Sequence, residues 1–277
     1  MFLLTVLSAS IIAGSLCGIS GVLIARLRLS TLVFATAHAA LFGAALGLFL
    51  DVDPLYTAMI LAILSSVIIG PLSDATGVPS DTLAMVMFST YNALTFIFIF
   101  LSPGPTLAAE KVGGILWGSV LAVTRTYLVV LLMLAYLYVL VLALFWNRFQ
   151  SILFDRRLAE AEGVNTRVYV YLLITLSGIA ISVSLKIVGG FLVFSLLYIP
   201  AACGFVADSI KRMILLSTLI GGASGSAGVV LSFIFNLPVG ACIVATATVM
   251  FIAVSTYAYV RRRNLLSYLN LRIQSHP

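Results

Sequence analysis

Few side chains in this chain of 277 residues can do chemistry, and they are far apart. His38 sits in "FATAHAALFGAA", inside an uncharged run from Leu29 to Leu50. An imidazole ligates transition metals, and an ionisable residue at bilayer depth is a functional candidate by default. Phe34, His38 and Phe42 recur every four residues, so on a helix they share a face. No anionic residue joins His38 there. Further ligands must come from other segments. Cys17, Met85 and Met87 are the soft candidates, which favour ions other than manganese. The plainer alternative is a neutral histidine bonded to a backbone carbonyl or to a hydroxyl such as Ser20. Asp81 follows Pro79 and Ser80 and is expected to cap a helix, with a place in a metal pathway as its alternative. Asp51 and Asp53 read as a solvated turn ending at Pro54. Cys17, Cys203 and Cys242 form no C-x-x-C and read as small packing residues.

Other chemistries are excluded by what is missing. There is no G-K-[ST], hence no Walker A loop and no nucleotide hydrolysis by this chain. There is no H-E-x-x-H. "GISG" (Gly18–Gly21) and "GASG" (Gly222–Gly225) match the G-x-S-G of rhomboid-type intramembrane proteases, and "AHAALFG" loosely resembles that family's histidine helix. The order of serine and histidine argues against it, and helix packing explains both glycine motifs.

The segments that must position these residues are apolar throughout. The chain is 62% hydrophobic and 9% charged, against about a quarter charged in a soluble domain. Uncharged stretches cover 1–25, 29–50, 54–73, 82–109, 126–147, 168–185, 187–207 and 213–260. About 20 apolar residues cross a bilayer as a helix. The last stretch fits two crossings, broken at "FNLPVG" (Phe235–Gly240). The 187–207 stretch opens with "VGG" (Val188–Gly190) and could be a partial crossing. The expectation is an all-α polytopic helical bundle with eight to nine transmembrane helices, forming one permease-like domain over 1–277 with a basic tail at 261–277. Arg26 and Arg28 follow the first apolar run rather than precede it, which argues against a cleaved signal peptide. Counted by alternating side, twelve of the fifteen Lys and Arg fall on one side. That places the N-terminus outside and the C-terminus in the cytoplasm. It also accounts for the net charge of +6 as a topology marker, not a nucleic-acid surface. Lys186, near an outer helix end, is expected to snorkel. Small residues recur every four positions at Ala35, Ala39, Gly43 and Gly47, at Gly14 and Gly18, and at Gly221 and Gly225. They predict closely packed helices.

The second half carries ordered motifs. "FDRRLAEAEGV" (Phe154–Val164), "LKIVGGFLVFSLLYIPAA" (Leu185–Ala202) and "LPVG" (Leu237–Gly240) follow "SDTLAMVMFS" (Ser80–Ser89) and "WGSVLAVTRTYL" (Trp117–Leu128). In this order they resemble the permease subunit of the ATP-binding-cassette importers for zinc, manganese and iron. The family usually carries Asp-Ala-x-x-His-Ala around the histidine, and here Phe34 stands at the aspartate position. Met85 replaces a family glycine.

The resemblance implies a multi-pass plasma-membrane permease importing a divalent transition-metal cation, with no bound cofactor. It implies a separate cytoplasmic ATPase that uses the ATP, a second permease copy and an extracellular metal-binding receptor. It makes His38 a pathway ligand. The short segment Gly204–Met213, expected to be helical and to include Asp208, Ile210, Lys211 and Arg212, becomes the docking site for the ATPase. Phe154, Asp155 and Gly163 are the next docking candidates. A same-fold permease for another solute, such as a metal chelate, is the alternative.

Overall fold

The computed structural model describes residues 2–117, 123–188 and 190–274. These residues form twelve α-helices and, among them, no strand. In chain order the helices are α1 (Phe2–Arg26), α2 (Leu32–Phe49), α3 (Pro54–Thr76), α4 (Ser80–Leu101), α5 (Pro105–Trp117) and α6 (Arg125–Leu144). There follow α7 (Trp146–Phe154), α8 (Arg156–Ala161), α9 (Thr166–Val188), α10 (Gly190–Gly204), α11 (Ile210–Phe235) and α12 (Val239–Gln274). Eight of them, α1 to α4, α6, α9, α11 and α12, are long and apolar enough to span a bilayer, and α10 holds a shorter apolar stretch, Leu192–Gly204. The all-α bundle of eight to nine apolar segments is therefore present. Gly189, within the "VGG" that opens the 187–207 stretch, and residues 118–122 of the "WGSVLAVTRTYL" motif lie outside the described residues, as does the Lys186 side chain.

Local chemistry sets the breaks. Asp53 caps α3 by accepting from Leu55 N at 2.8 Å, with Pro54 as the first helical residue. That is the solvated turn expected of Asp51 and Asp53. Asn236 adopts a left-handed conformation (φ 53°) and ends α11 just before Pro238, so the 213–260 stretch divides where its turn residues lie. The 82–109 stretch divides too, which the absence of charge concealed. Ser102 ends α4, Gly104 turns at φ 84°, and Pro105 starts α5. The Gly204–Met213 segment is not helical throughout. α10 ends at Gly204, a turn follows, and Ser209 caps α11.

Packing follows the small-residue stripes. A Cβ built on Gly14 would lie 2.2 Å from the Gly221 carbonyl oxygen, and one on Gly18 2.4 Å from that of Ser217. The α1 and α11 backbones thus touch, and Ser217 Oγ donates to Gly18 O at 2.7 Å. Gly43 and Gly47 give α2 the same close approach to α3 at Thr57. α1, α2 and α9 are the most enclosed spans, and α4 and α12 the most exposed.

Candidate functional site

α2 packs its small residues on α3 and leaves a partly open stripe on another face: Phe34, His38, Phe42 and Phe49. His38 Nδ1 lies 3.1 Å from the Phe34 carbonyl oxygen. A carbonyl only accepts, so the contact is a hydrogen bond when Nδ1 carries the proton, and in the neutral ring that tautomer leaves the Nε2 lone pair free. This is the arrangement typical of metal-ligating histidines, whose second nitrogen donates to a carbonyl or carboxylate. The imidazole meets Phe88 of α4 edge to face, centroids 4.4 Å apart. Phe34 stacks on Phe194 of α10 at 5.1 Å and also contacts Phe88 and Tyr198. Further along the stripe, Phe42 meets Tyr91 and Phe98, and Phe49 meets Phe98. One α4 ring thus meets His38, and rings of α4 and α10 meet Phe34 one turn away.

Asp81 does not cap its own helix. α4 begins after Pro79 without a side-chain cap. The Asp81 carboxylate instead accepts from Thr31 N at 3.1 Å and Thr31 Oγ1 at 2.6 Å. The Tyr198 hydroxyl donates to the Ser30 carbonyl. The starts of α2 and α4 and the later half of α10 are therefore joined at residues 30–31. The competing assignments for the sequence candidates also resolve. Ser20 Oγ donates to the Tyr138 hydroxyl at 3.1 Å, and that hydroxyl lies 3.0 Å from Ser177 Oγ, so Ser20 does not serve His38. Ser224 bonds the Gly221 carbonyl. Neither G-x-S-G serine forms a pair with His38. Cys17 is sealed in α1 at 2% exposure, one turn from Ser20, and is not joined to the His38 rings. Cys203 and Cys242 are buried and free, as packing residues are. Met85 is exposed and Met87 half-buried on α4. Among the described residues no group of three His, Cys, Asp or Glu could hold a metal ion.

A second feature lies at the end of the bundle that carries α7 and α8. A groove of about 730 Å³ is lined by Phe154 and Leu158 on one side and Asp208, Ser209, Ile210 and Met213 on the other. The two candidate docking segments, far apart in sequence, thus share one groove. Phe154 and Leu158 are 72% and 55% exposed, an apolar pair with no described residue covering it. Asp155 caps α8 through Arg157 N at 2.8 Å, and Gly163 (φ 80°) turns the chain towards α9. Glu160 is held below the usual carboxylate range by hydrogen bonds from Thr166 and then Arg156. Gly204 serves a close approach, since a Cβ there would lie 2.6 Å from the Met213 carbonyl oxygen. Arg212 is exposed, and Lys211 Nζ lies 5.4 Å from the Trp146 ring centroid. Ile210, one of the docking candidates, is buried in the core at 8% exposure, because α11 has already begun there. Arg26, which lines the groove, donates twice to the Leu153 carbonyl, at 3.1 and 2.7 Å, tying α1 to the end of α7.

Sequence reasoning missed the ring partners Phe88, Phe194 and Tyr198. The i, i+4 spacing of Phe194 and Tyr198 was the available signal.

A polytopic bundle of eight span-length apolar helices defines the class as an integral membrane protein. The chain belongs to the ABC 3 transport family, whose model matches residues 1–258. It is 31% identical over 265 residues to the manganese import system permease protein ScaB of Streptococcus gordonii, covering 95% of this chain and 94% of that one. It is 26% identical to the high-affinity zinc uptake system membrane protein ZnuB of Buchnera aphidicola, covering 88% and 93%. A solved structure, PsaBC from Streptococcus pneumoniae in complex with Fab, superposes with a TM-score of 0.76 at 29% identity over 92% of this chain and 91% of that one. The chain is accordingly a multi-pass plasma-membrane transport permease and not an enzyme; ATP hydrolysis belongs to a separate subunit.

Proposed function

We propose that this chain, as a single permease domain, imports a divalent transition-metal cation, with His38 as a ligand on the path. The α7–α8 end faces the cytoplasm, and the groove between Phe154 and Met213 receives a helix of the ATPase. Two copies of the chain form the pathway, and an extracellular receptor delivers the metal. The observation that carries this reading is His38: its Nδ1 lies against the Phe34 carbonyl, which leaves Nε2 for a ligand, and it stands on the open stripe of an otherwise enclosed helix. The relatives named for manganese import and zinc uptake support the cargo class. The aromatic wall favours one second reading, a metal enclosed in its own organic ligands, which would ask less of the protein.

The test is uptake of radioactive zinc and manganese into cells carrying the full transporter. His38→Ala should lower uptake about tenfold or more while the permease still assembles with its ATPase. Unchanged uptake would remove His38 from the path. Uptake of a chelate but of no free ion would favour the second reading.

A further inference from the structure

We infer that a cavity beside the groove, at the same end of the bundle, binds a phosphate group at the membrane surface, with Arg28 and Arg157 as its open ligands. The cavity measures about 650 Å³ and shares Arg26 and Phe154 with the groove. At about 30 Å³ per water molecule, it has room for a headgroup and not only for a lone ion. Its walls come from the α1–α2 turn, the start of α4, the α7–α8 junction and Val170 of α9. The span-length helix α1 ends there and α4, also of span length, begins there. The cavity therefore lies where the bundle leaves the apolar layer, which is the level of the phosphates of a bilayer.

Four guanidiniums line it, those of Arg26, Arg28, Arg156 and Arg157, against the carboxylates of Asp81 and Asp155. Both carboxylates are engaged. Asp81 Oδ1 accepts from Thr31 N and Oγ1, and Asp155 Oδ1 accepts from Arg157 N and Leu158 N. Two guanidiniums are engaged as well, Arg26 on the Leu153 carbonyl and Arg156 on Glu160 and Thr166. The ion pairs among the described residues are Arg156–Glu160 and Arg167–Asp74, so Arg28 and Arg157 stand in none. Beneath them Leu29, Leu153 and Val170 are buried, and apolar neighbours strengthen an attraction between charges.

Two further features suit an anion. α4 opens on the cavity through Pro79 and Ser80, and no side chain caps it. An uncapped helix start carries unpaired amide N–H groups and a partial positive charge. Arg28 holds φ 58°, a left-handed conformation that glycine adopts without strain. The chain thus keeps an exposed arginine at a strained turn. Orientation in the membrane calls for basic residues on one side, but not for a cavity shared by arginines from both halves of the chain. The planar fork of arginine takes two phosphate oxygens at once. A phospholipid headgroup and a soluble phosphate compound offer the same group, and basic pockets at helix ends take headgroups.

The experiment uses the purified permease–ATPase complex in a neutral detergent, immobilised for scintillation proximity binding. The radiolabelled probes are phosphatidylglycerol, phosphatidylcholine of the same chains, whose choline cancels the charge, and sodium phosphate. The wild type should bind phosphatidylglycerol about tenfold or more tightly than phosphatidylcholine. Arg28→Gln with Arg157→Gln should weaken that binding about a hundredfold, at roughly tenfold for each charged hydrogen bond. Arg28→Lys with Arg157→Lys keeps the charge without the fork and should fall between. Arg148→Gln, at an exposed arginine outside the cavity, should change nothing. Sodium phosphate that binds as tightly as the lipid, with the same dependence on the variants, would support the site and make its source a soluble phosphate compound. A double glutamine variant that assembles with its ATPase and binds phosphatidylglycerol like the wild type would overturn the inference. So would a wild type that binds neither phosphatidylglycerol nor phosphate; if the double variant then sheds its ATPase, the arginines hold that subunit instead.

Discussion

At the scale of single residues, polar groups of α2 and α4 are engaged in hydrogen bonds within or between helices. Asp81 is the clearest case. It joins the starts of α2 and α4 through Thr31, and hydrogen bonds to charged groups contribute about 1.5–3 kcal/mol each. Asp81→Ala should therefore lower the melting midpoint of the solubilised permease. Asp81→Asn, which keeps an acceptor, should recover part of the loss, whereas a pure pathway role would leave the midpoint unmoved. Glu160 gives a pH prediction. Its carboxyl is depressed by Thr166 and Arg156, so the stabilisation is complete above the ordinary carboxylate range and is lost as pH falls through the lower folded value. The protection of amides at the α8–α9 junction against hydrogen exchange, corrected for the intrinsic pH dependence of exchange, should fall at acid pH in the wild type and show no such step in Glu160→Gln. The candidates legible in the sequence were those with a local signature: His38 in an uncharged run, and Asp53 before Pro54. The role of Asp81 was not legible, because its partner lies fifty residues earlier and on another helix.

At the scale of helices, packing and docking separate. The α1–α11 seam is backbone on backbone, so Gly221→Val must push the helices apart. Overpacking of this kind costs about 1–3 kcal/mol, and a clear fall in thermal midpoint in detergent should follow. A normal midpoint would mean that the seam is looser than described. The groove behaves oppositely. Phe154→Ser with Leu158→Ser removes exposed apolar surface, so the bundle should stay intact while ATPase co-purification falls. Charge reversal at Lys211 and Arg212 tests the other rim, whereas Ile210 is a core residue and its truncation would confuse docking with folding. Helix content was readable from apolar runs because lipid demands it. The α4–α5 division was not, since Pro103 and Gly104 bend the chain without adding charge. α10 is harder still: at 15 residues it spans only about 22 Å.

At the scale of the whole molecule, the basic residues give the orientation a test. The three native cysteines are buried and should react little. A cysteine placed at exposed Arg157 should resist membrane-impermeant thiol reagents in intact cells and label after lysis. Labelling without lysis would invert the proposed topology and put the groove on the wrong side for an ATPase. The same holds for a cysteine beside Arg262, whose side chain lies outside the described residues.

The ring packing of Phe34 on Phe194 and Phe88 bears on the idle transporter. On the path proposed above, rings in contact would exclude the water along which protons hop, and a hydrated ion would pay heavily to cross them. Such a wall would act as an insulator, and a cell keeping many copies at rest would keep its proton and sodium gradients until a transport cycle parted the rings.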